Sequence, residues 1–156
     1  MHATLDWSFG LLAEREAIAF RRIAIFAGGF TLDAAMAVAT GVGLDEYEAV
    51  DGVASLVAKS LVTADTTDGK TRYRLLETVR QFALDRLNEC GEGEAARGRR
   101  VARFLALAED AEPHVRGPEQ DRWMGRFQQE HENLVTALAW CCEGPLDAQC
   151  GLRLAV

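Results

Sequence analysis

The segment closest to a functional motif is residues 64–71, which read Ala-Asp-Thr-Thr-Asp-Gly-Lys-Thr and fit the loose form of a phosphate-binding loop. Such a loop requires a strand before it and a helix N-terminus after it, so that backbone N–H groups converge on the phosphates. Here residues 72–75 alternate polar and bulky like a strand, and Asp65 and Asp68 would place two carboxylates beside a triphosphate. We therefore predict a hairpin turn at this segment and expect no cofactor to bind within this chain.

The other residue types that perform chemistry form no recognisable site. Four arginines lie close enough in sequence to contact phosphate, but acidic neighbours dilute them, and we expect one solvated helix face from Arg97, Arg99, Arg100 and Arg103. The histidines are scattered, and a solvated helix face also explains His131, which stands between two glutamates. No catalytic residue is predicted, and we expect the protein not to be an enzyme.

The cysteines contain no C-x-x-C pair, and they are Cys90, Cys141, Cys142 and Cys150. This spacing favours small buried thiols in a reducing compartment over a metal site or a disulfide. We therefore predict no metal ligands.

Composition narrows the class of function further. The 156 residues carry 17 basic and 24 acidic side chains, a net charge of −7. Dedicated nucleic-acid binders draw much of their affinity from Lys and Arg on phosphates, so this balance argues against that class. No apolar run approaches the roughly 18 residues that span a bilayer, and the first residues do not read as a leader. We expect a cytoplasmic protein without membrane contact.

Periodic apolar residues predict the elements of the first half of the chain. Helical spacing covers residues 5–12 and 14–27, Thr31 is the N-cap of a short helix, and Asp45 begins a capping box that opens another. Two short strands and a further helix follow, at residues 61–64, 72–75 and 78–90. A β-hairpin that follows three helices is the arrangement of a winged helix.

Gly91 and Gly93 break the chain, and the sequence beyond them has helical periodicity throughout. One apolar stripe covers residues 101–111, and Pro118 opens a longer helix that ends at Gly144. Residues 146–156 begin a further helix, so we expect the helical region to continue past the C-terminus.

The apolar stripe of the longer helix includes Trp123 and Phe127. We predict that both are largely buried against a helix over residues 97–112, because an isolated helix of this length needs such packing.

Five segments follow one another in a familiar order. They are Leu-Asp-Trp-Ser-Phe-Gly-Leu-Leu at 5–12, Phe-Arg-Arg-Ile-Ala-Ile-Phe-Ala-Gly-Gly-Phe at 20–30, Leu-Val-Ala-Lys-Ser-Leu-Val at 56–62, Tyr-Arg-Leu-Leu-Glu-Thr-Val-Arg at 73–80 and Glu-Asn-Leu at 132–134. This series resembles the region after the NTPase core in bacterial STAND-class regulators, the signal-transduction ATPases related to AfsR and to large LuxR-type activators. The resemblance covers essentially the whole chain.

The resemblance implies a fold that is mainly α with a small β-hairpin. A winged helix-turn-helix domain would occupy residues 1–92, and antiparallel helices similar to tetratricopeptide (TPR) repeats would occupy residues 93–156. It also implies Walker A and B motifs, with bound ATP or ADP, in a domain upstream of this fragment. The expected partners are that NTPase domain, on which the winged helix packs to hold the off state, and a protein or small-molecule inducer at the helical region.

The hairpin and the helix after it are the expected switch surface, formed by Arg72, Arg74, Leu76, Glu77 and Arg80. In apoptosome and plant-resistance relatives this junction carries a Met-His-Asp-like motif whose histidine reaches ADP. Leu76 stands at the histidine position, and its side chain cannot donate a hydrogen bond. We expect a latch that works by packing or through Arg80. The alternative is that Leu76 belongs to the core and Arg80 is solvated.

Two other functions stay open. A DNA-binding winged helix would insert its third helix, residues 45–60, into the major groove, but that segment carries four acidic side chains against Lys59 alone. Residues 1–93 carry 9 basic and 14 acidic side chains, so we do not expect DNA as a partner. The third possibility is a free-standing protein-interaction adaptor with no NTPase domain, which the sequence upstream of Met1 would distinguish.

Overall fold

The computed structural model describes residues 2–67 and 69–143, and the helix predicted after residue 146 lies outside them. In these residues the elements are α1 (His2–Gly10), α2 (Glu14–Ile23), α3 (Leu32–Ala39), α4 (Glu46–Ala58), β1 (Thr63–Thr67), β2 (Lys70–Arg74), α5 (Glu77–Glu89), α6 (Gly93–Ala111), α7 (Gln120–Gln129) and α8 (His131–Glu143). A 3-10 turn at Glu112–His114 follows α6. The mainly helical fold with one small hairpin is confirmed.

Helices α2, α3 and α4 pack on one another ahead of the hairpin, and this confirms the winged helix-turn-helix arrangement. The side chain of Thr31 accepts a hydrogen bond from the Ala34 N–H at 3.2 Å and so caps α3 as predicted. At α4 the predicted capping box is present, because Asp45 accepts from the Glu48 N–H at 2.8 Å and donates its own N–H to the Glu48 carboxylate at 2.9 Å. These local bonds fix where both helices begin.

The hairpin replaces the phosphate-binding loop that residues 64–71 superficially resemble. Strands β1 and β2 pair antiparallel, from Thr63 opposite Arg74 to Thr67 opposite Lys70. Gly69 has a φ of +74°, a left-handed conformation that glycine adopts without steric cost. Lys70 therefore lies in a strand and not at a helix N-terminus, and the predicted hairpin turn is confirmed.

The single helix predicted from Pro118 to Gly144 is wrong. The chain instead forms α7 and α8, which meet at Glu130, where φ is −96° and ψ is 7°. The side chain of Glu130 is buried and paired with Arg72 of β2, so the break places a polar contact where a continuous apolar stripe was expected.

The predicted burial of Trp123 and Phe127 is confirmed only in part, because both side chains are partly buried and pack against the hydrophobic core. The buried face of α6 packs against α3 and α8. Trp123 instead stacks on the ring of His114, with centroids 5.7 Å apart and planes 4° apart.

A single hydrophobic core extends from α2 to α8. At its centre the rings of Phe26 and Phe30 stack with centroids 4.8 Å apart, and Phe104 of α6 meets Phe26 edge-on at 6.4 Å. The first helix after the expected boundary at residue 92 thus fills the core of the winged helix. The division into two domains stays a prediction, and the packing across it is continuous.

Candidate functional site

Four elements of the fold bind the loop after α2, residues 25–30, which we call the central loop. It follows Ile23, where α2 ends, and contains Gly28 and Gly29. Most of its residues are buried, and buried backbone N–H and C=O groups must find partners when no helix or sheet supplies them. In this protein the partners come from β2, α5, α6 and α8.

Two arginines hold the carbonyls at the start of the central loop. Arg80 of α5 donates from Nε to the carbonyl oxygen of Phe26 at 2.7 Å, and Arg100 of α6 donates from Nη1 to that of Ile25 at 2.6 Å. Arg100 is only 3% exposed. Burial, with the nearby charges of Arg97 and Arg80, lowers the pKa of Arg100 to about 10, so it stays protonated at neutral pH.

Asn133 of α8 binds the other end of the central loop. Its Oδ1 accepts from the Ala27 N–H at 2.8 Å, and its Nδ2 donates to the Gly29 carbonyl at 2.9 Å and to the Glu130 carboxylate at 3.0 Å. The side chain is 1% exposed. A buried amide that uses both its oxygen and its nitrogen in this way fixes α8 in one position on the loop.

The second strand of the hairpin, β2, binds the same loop. Arg72 donates to the Gly29 carbonyl at 2.7 Å and pairs with Glu130 at 2.7 Å. Phe30 and Tyr73 form a bridge in which each N–H donates to the other carbonyl, at 2.9 and 2.8 Å. One polar network therefore surrounds Gly29, and it consists of Arg72, Glu130 and Asn133. This network joins the wing to α8 through hydrogen bonds.

A second pair of arginines secures the end of α3. Arg22 donates to the carbonyls of Ala39 at 2.7 Å and Val42 at 2.6 Å, and Arg99 donates to that of Val38 at 2.7 Å. Arg22 also pairs with Glu92 at 2.8 Å. Burial raises the pKa of Glu92, but hydrogen bonds from Arg22 and Arg21 outweigh it, and the net shift is downward. The negative end of the α3 dipole also favours these cations.

The structure separates the members of the expected switch surface. Arg72 and Arg80 reach inward to the central loop, whereas Arg74, Leu76 and Glu77 are exposed. The alternative that Leu76 is core and Arg80 solvated is wrong on both counts, because Leu76 is 63% exposed and the Arg80 side chain only 16%. Leu76 precedes α5 as its N-cap residue, with extended backbone at φ −63° and ψ 145°.

Glu77 is a local partner within α5 rather than a contact of the central loop. Its carboxylate accepts from Gln81 at 2.9 Å and Arg80 at 3.0 Å. The hydrogen bond from Gln81 lowers the pKa of Glu77, and the Arg80 charge adds to the effect against the opposing influence of burial.

The interpretation of the arginine run as one solvated helix face is wrong for Arg99 and Arg100, which bind buried carbonyls. Sequence reasoning also assigned no role to Glu130 and Asn133. The only hint in the sequence is spacing, because positions 130, 133, 137 and 141 lie on one helical face that includes Ala137 and Cys141, and the structure buries all four. Two polar residues on such a face indicate a buried hydrogen-bond network.

One of the two described thiols is buried and the other is exposed. Cys141 is buried as predicted, whereas Cys90, at the end of α5, is exposed, and the prediction is wrong there. Neither the side chain of Cys142 nor residue Cys150 is described.

Within residues 2–67 and 69–143 no three His, Cys, Asp or Glu side chains are placed to hold a metal ion. In the same part of the chain, every helix is too short or too polar to cross a membrane.

The outer face of α4 is acidic and aromatic. Glu46, Tyr47 and Asp51 are exposed, and Tyr47 is 83% exposed. The cation at the end of the helix, Lys59, pairs with Glu16 of α2 at 2.6 Å. Its positive charge is therefore already engaged within the protein.

Comparisons with known proteins agree with this architecture. Residues 12–88 match the model of a family described as a winged helix-turn-helix domain. A "Putative HTH-type transcriptional regulator" of Mycobacterium tuberculosis is 45% identical over 143 residues, which are 92% of this chain and 16% of the relative. A protein of the same description from Mycobacterium bovis has the same identity and coverage.

An uncharacterized protein of Mycobacterium tuberculosis is 43% identical over 98 residues, which are 62% of this chain and 25% of that protein. This chain thus spans only a small part of the curated relatives that it matches. No solved structure matches it. These matches do not support our expectation that DNA is excluded as a partner, because helix-turn-helix domains commonly place a helix in the major groove.

Proposed function

Because residues 12–88 form a winged helix-turn-helix domain and relatives of the chain are named as transcriptional regulators, we propose that it is a regulatory module of a larger transcriptional regulator. In this proposal the module is non-catalytic and cytoplasmic. Its winged helix packs on an upstream STAND-class ATPase domain that holds ATP or ADP, and α6 to α8 begin a TPR-like array that receives an inducer.

The observation that carries this proposal is the charge of α4, the helix that would enter the major groove in a DNA complex. Its exposed side chains include Glu46 and Asp51, and its cation Lys59 is paired with Glu16. Carboxylates facing DNA phosphates would oppose binding, because affinity for DNA comes largely from neutralising phosphate charge. An acidic and aromatic face suits a protein partner better, with Tyr47 as an exposed aromatic anchor.

The central loop supports the regulatory part of the proposal. The wing, α5, α6 and α8 all bind its backbone through charged or amide side chains. A displacement of α8 by an inducer would therefore change the contacts of Arg72 and of the hairpin at the same time. A transition of this kind requires two packed arrangements that differ by a few kcal/mol.

The direct test measures the rate of ADP release. It uses the longer protein, with the ATPase domain that the proposal requires. We expect Leu76→Ala or Arg80→Ala to accelerate release or raise basal activation, because both residues lie at the junction of hairpin and α5. Val42→Ala is the matched control, since Val42 is 92% exposed and lies away from this junction. If both junction variants behave like the control, the junction of the hairpin and α5 is not part of the switch, and the proposed role of this surface is wrong.

DNA binding is the second candidate, and the family match together with the names of the relatives favours it. In that case the wing would supply the cations, because Lys70 and Arg74 are exposed on the hairpin. We expect selection on random duplexes at near-physiological salt to return no motif. A motif bound with nanomolar affinity, and a salt slope that falls by about 1 in Arg74→Ala, would establish the DNA-binding function instead. Arg116→Ala, an exposed arginine outside the hairpin, is the control.

A further inference from the structure

A pocket of about 220 Å³ lies between α5, α6 and α8, beside the central loop. Each helix contributes residues three or four positions apart, so one face of each helix lines it. The lining residues are Ile25, Arg80, Leu84, Arg97, Arg100, Thr136, Ala139 and Trp140. Three arginines converge there, and these described lining residues include no carboxylate.

The charge of this pocket is not balanced within the described protein. Arg80 pairs with the exposed carboxylate of Glu77 at 3.0 Å, while Arg97 contacts only the neutral Asn88 side chain, at 3.4 Å. Arg100 bonds to the carbonyls of Ile25 and Thr136, which carry no charge. Three guanidinium groups therefore face one partly solvated carboxylate, although the chain as a whole has a net charge of −7.

Arg100, which lines the pocket, carries an unpaired donor. The side chain is 3% exposed, and its Nε is a buried donor with no hydrogen-bond partner. A buried donor left unpaired costs about 1–3 kcal/mol, so native proteins rarely keep one without a reason. Burial lowers the pKa of Arg100, and the repulsion of Arg97 and Arg80 adds to this effect; a bound anion would relieve the repulsion.

We propose that this pocket binds the phosphate group of a small organic phosphate, with Arg97 and Arg100 as its main contacts. Guanidinium groups pair with phosphate oxygens through charge-assisted and often bidentate hydrogen bonds. The organic part of the ligand lies against the apolar wall formed by Ile25, Leu84 and Trp140. The volume is below the 300–1,000 Å³ or so of pockets for drug-sized ligands, and it therefore selects a compact molecule.

A ligand in this position would act on the central loop. It would touch α5, α6 and α8 together, and two of its contacts, Arg80 and Arg100, already hold the loop carbonyls of Phe26 and Ile25. Binding would stabilise the described arrangement, by an amount that depends on ligand concentration relative to the dissociation constant. The site is separate from the surface of α4 and does not depend on what that helix contacts.

The test uses the 156-residue chain and two probes, inorganic phosphate and phenyl phosphate, at constant ionic strength adjusted with chloride. We expect each probe to raise the thermal unfolding midpoint in a saturable manner and to give a defined dissociation constant by calorimetry. Phenyl phosphate should bind more tightly, because its ring contacts the apolar wall. Equal affinity for the two probes would overturn the assignment of that wall, and no saturable response to either would overturn the site.

Arg97→Gln is the main variant, because among the described residues Arg97 makes one long hydrogen bond, to Asn88 at 3.4 Å. We expect it to weaken phosphate binding by roughly tenfold or more, the effect of losing a charged hydrogen bond. Arg103→Gln removes the same charge from the same helix outside the pocket and should leave affinity within about twofold. Equal losses in the two variants would mean non-specific attraction to positive charge and would refute the site.

A second pair of variants tests the pocket by filling it. Ala139 lines the pocket and is exposed, so a longer side chain can be accommodated at the mouth. Ala139→Glu should place a carboxylate near the arginines, raise the unfolding midpoint without ligand, and abolish the response to phosphate. Ala139→Gln, which has the same shape without the charge, should not raise the unfolding midpoint in the absence of ligand. If the two variants have equal midpoints without ligand, the arginines do not form an anion site.

Discussion

Replacing Asn133 with alanine tests whether α8 is fixed to the winged helix by hydrogen bonds. The variant removes the partner of the Ala27 N–H, which has no other acceptor among the described contacts. It also removes the two bonds that Nδ2 donates, but Gly29 and Glu130 both keep Arg72 as a partner. The half-buried Ala27 N–H is therefore left without an acceptor, the Gly28 N–H loses a long bond at 3.5 Å, and two acceptors lose one of their bonds.

The expected cost follows from these changes. An orphaned donor costs about 1–3 kcal/mol and each of the two bonds lost at the acceptors about 0.5–1.5 kcal/mol net, which gives a total of about 2–6 kcal/mol. Because Arg72 and Asn133 share Gly29 and Glu130 as partners, their effects should not be additive. The coupling between Arg72→Ala and Asn133→Ala should exceed about 0.5 kcal/mol in a double-mutant cycle.

Urea unfolding followed by far-ultraviolet circular dichroism measures both quantities. Val135→Ala is the control, since Val135 lies on the same helix and is 49% exposed. Asn133→Asp separates shape from hydrogen bonding, because it keeps the volume but turns the amide donor into a second acceptor that faces Glu130. We expect it to be destabilising at neutral pH. A loss below about 0.5 kcal/mol in Asn133→Ala, or one equal to that of the control, would refute the reasoning.

Three further outcomes are expected. Phe104→Ala should destabilise the protein by about 3–5 kcal/mol in urea unfolding, because Phe104 is 2% exposed. Phe127→Ala should cost less than half as much, because Phe127 is only partly buried, and equal losses would contradict the observed packing of α7. Hydrogen bonds from Lys59, then Ser55 and the Ala13 N–H, lower the pKa of Glu16 to about 2. The ionised Glu16 carboxylate therefore contributes to stability above about pH 4.3, and this contribution is lost as the pH falls towards 2. Glu16→Gln should flatten unfolding free energy against pH in that window, and an unchanged slope would exclude this role. Leu76→Ala should change stability by less than about 0.5 kcal/mol, and a larger loss would mean that this exposed side chain is packed.

The sequence determined the local elements of the first half of this protein. Thr31 and Asp45 mark helix starts through side chains that bond within four residues, and such signals are complete in the sequence itself. The hairpin was equally readable, because Gly69 permits the turn and residues 72–75 have the period of a strand. Helices α2 to α5 around this hairpin gave the winged helix, whose order of elements is enough to identify it.

Tertiary structure decided which polar side chains are buried. Arg100 and Asn133 look like surface residues in the sequence, and Leu76 looks like core, but each assignment is reversed in the fold. The physical reason is that the central loop leaves its backbone groups unpaired, and side chains from 43 to 106 residues away satisfy them. Hydrophobic periodicity records which face of a helix is inside, and it carries no information on which distant carbonyl needs a donor.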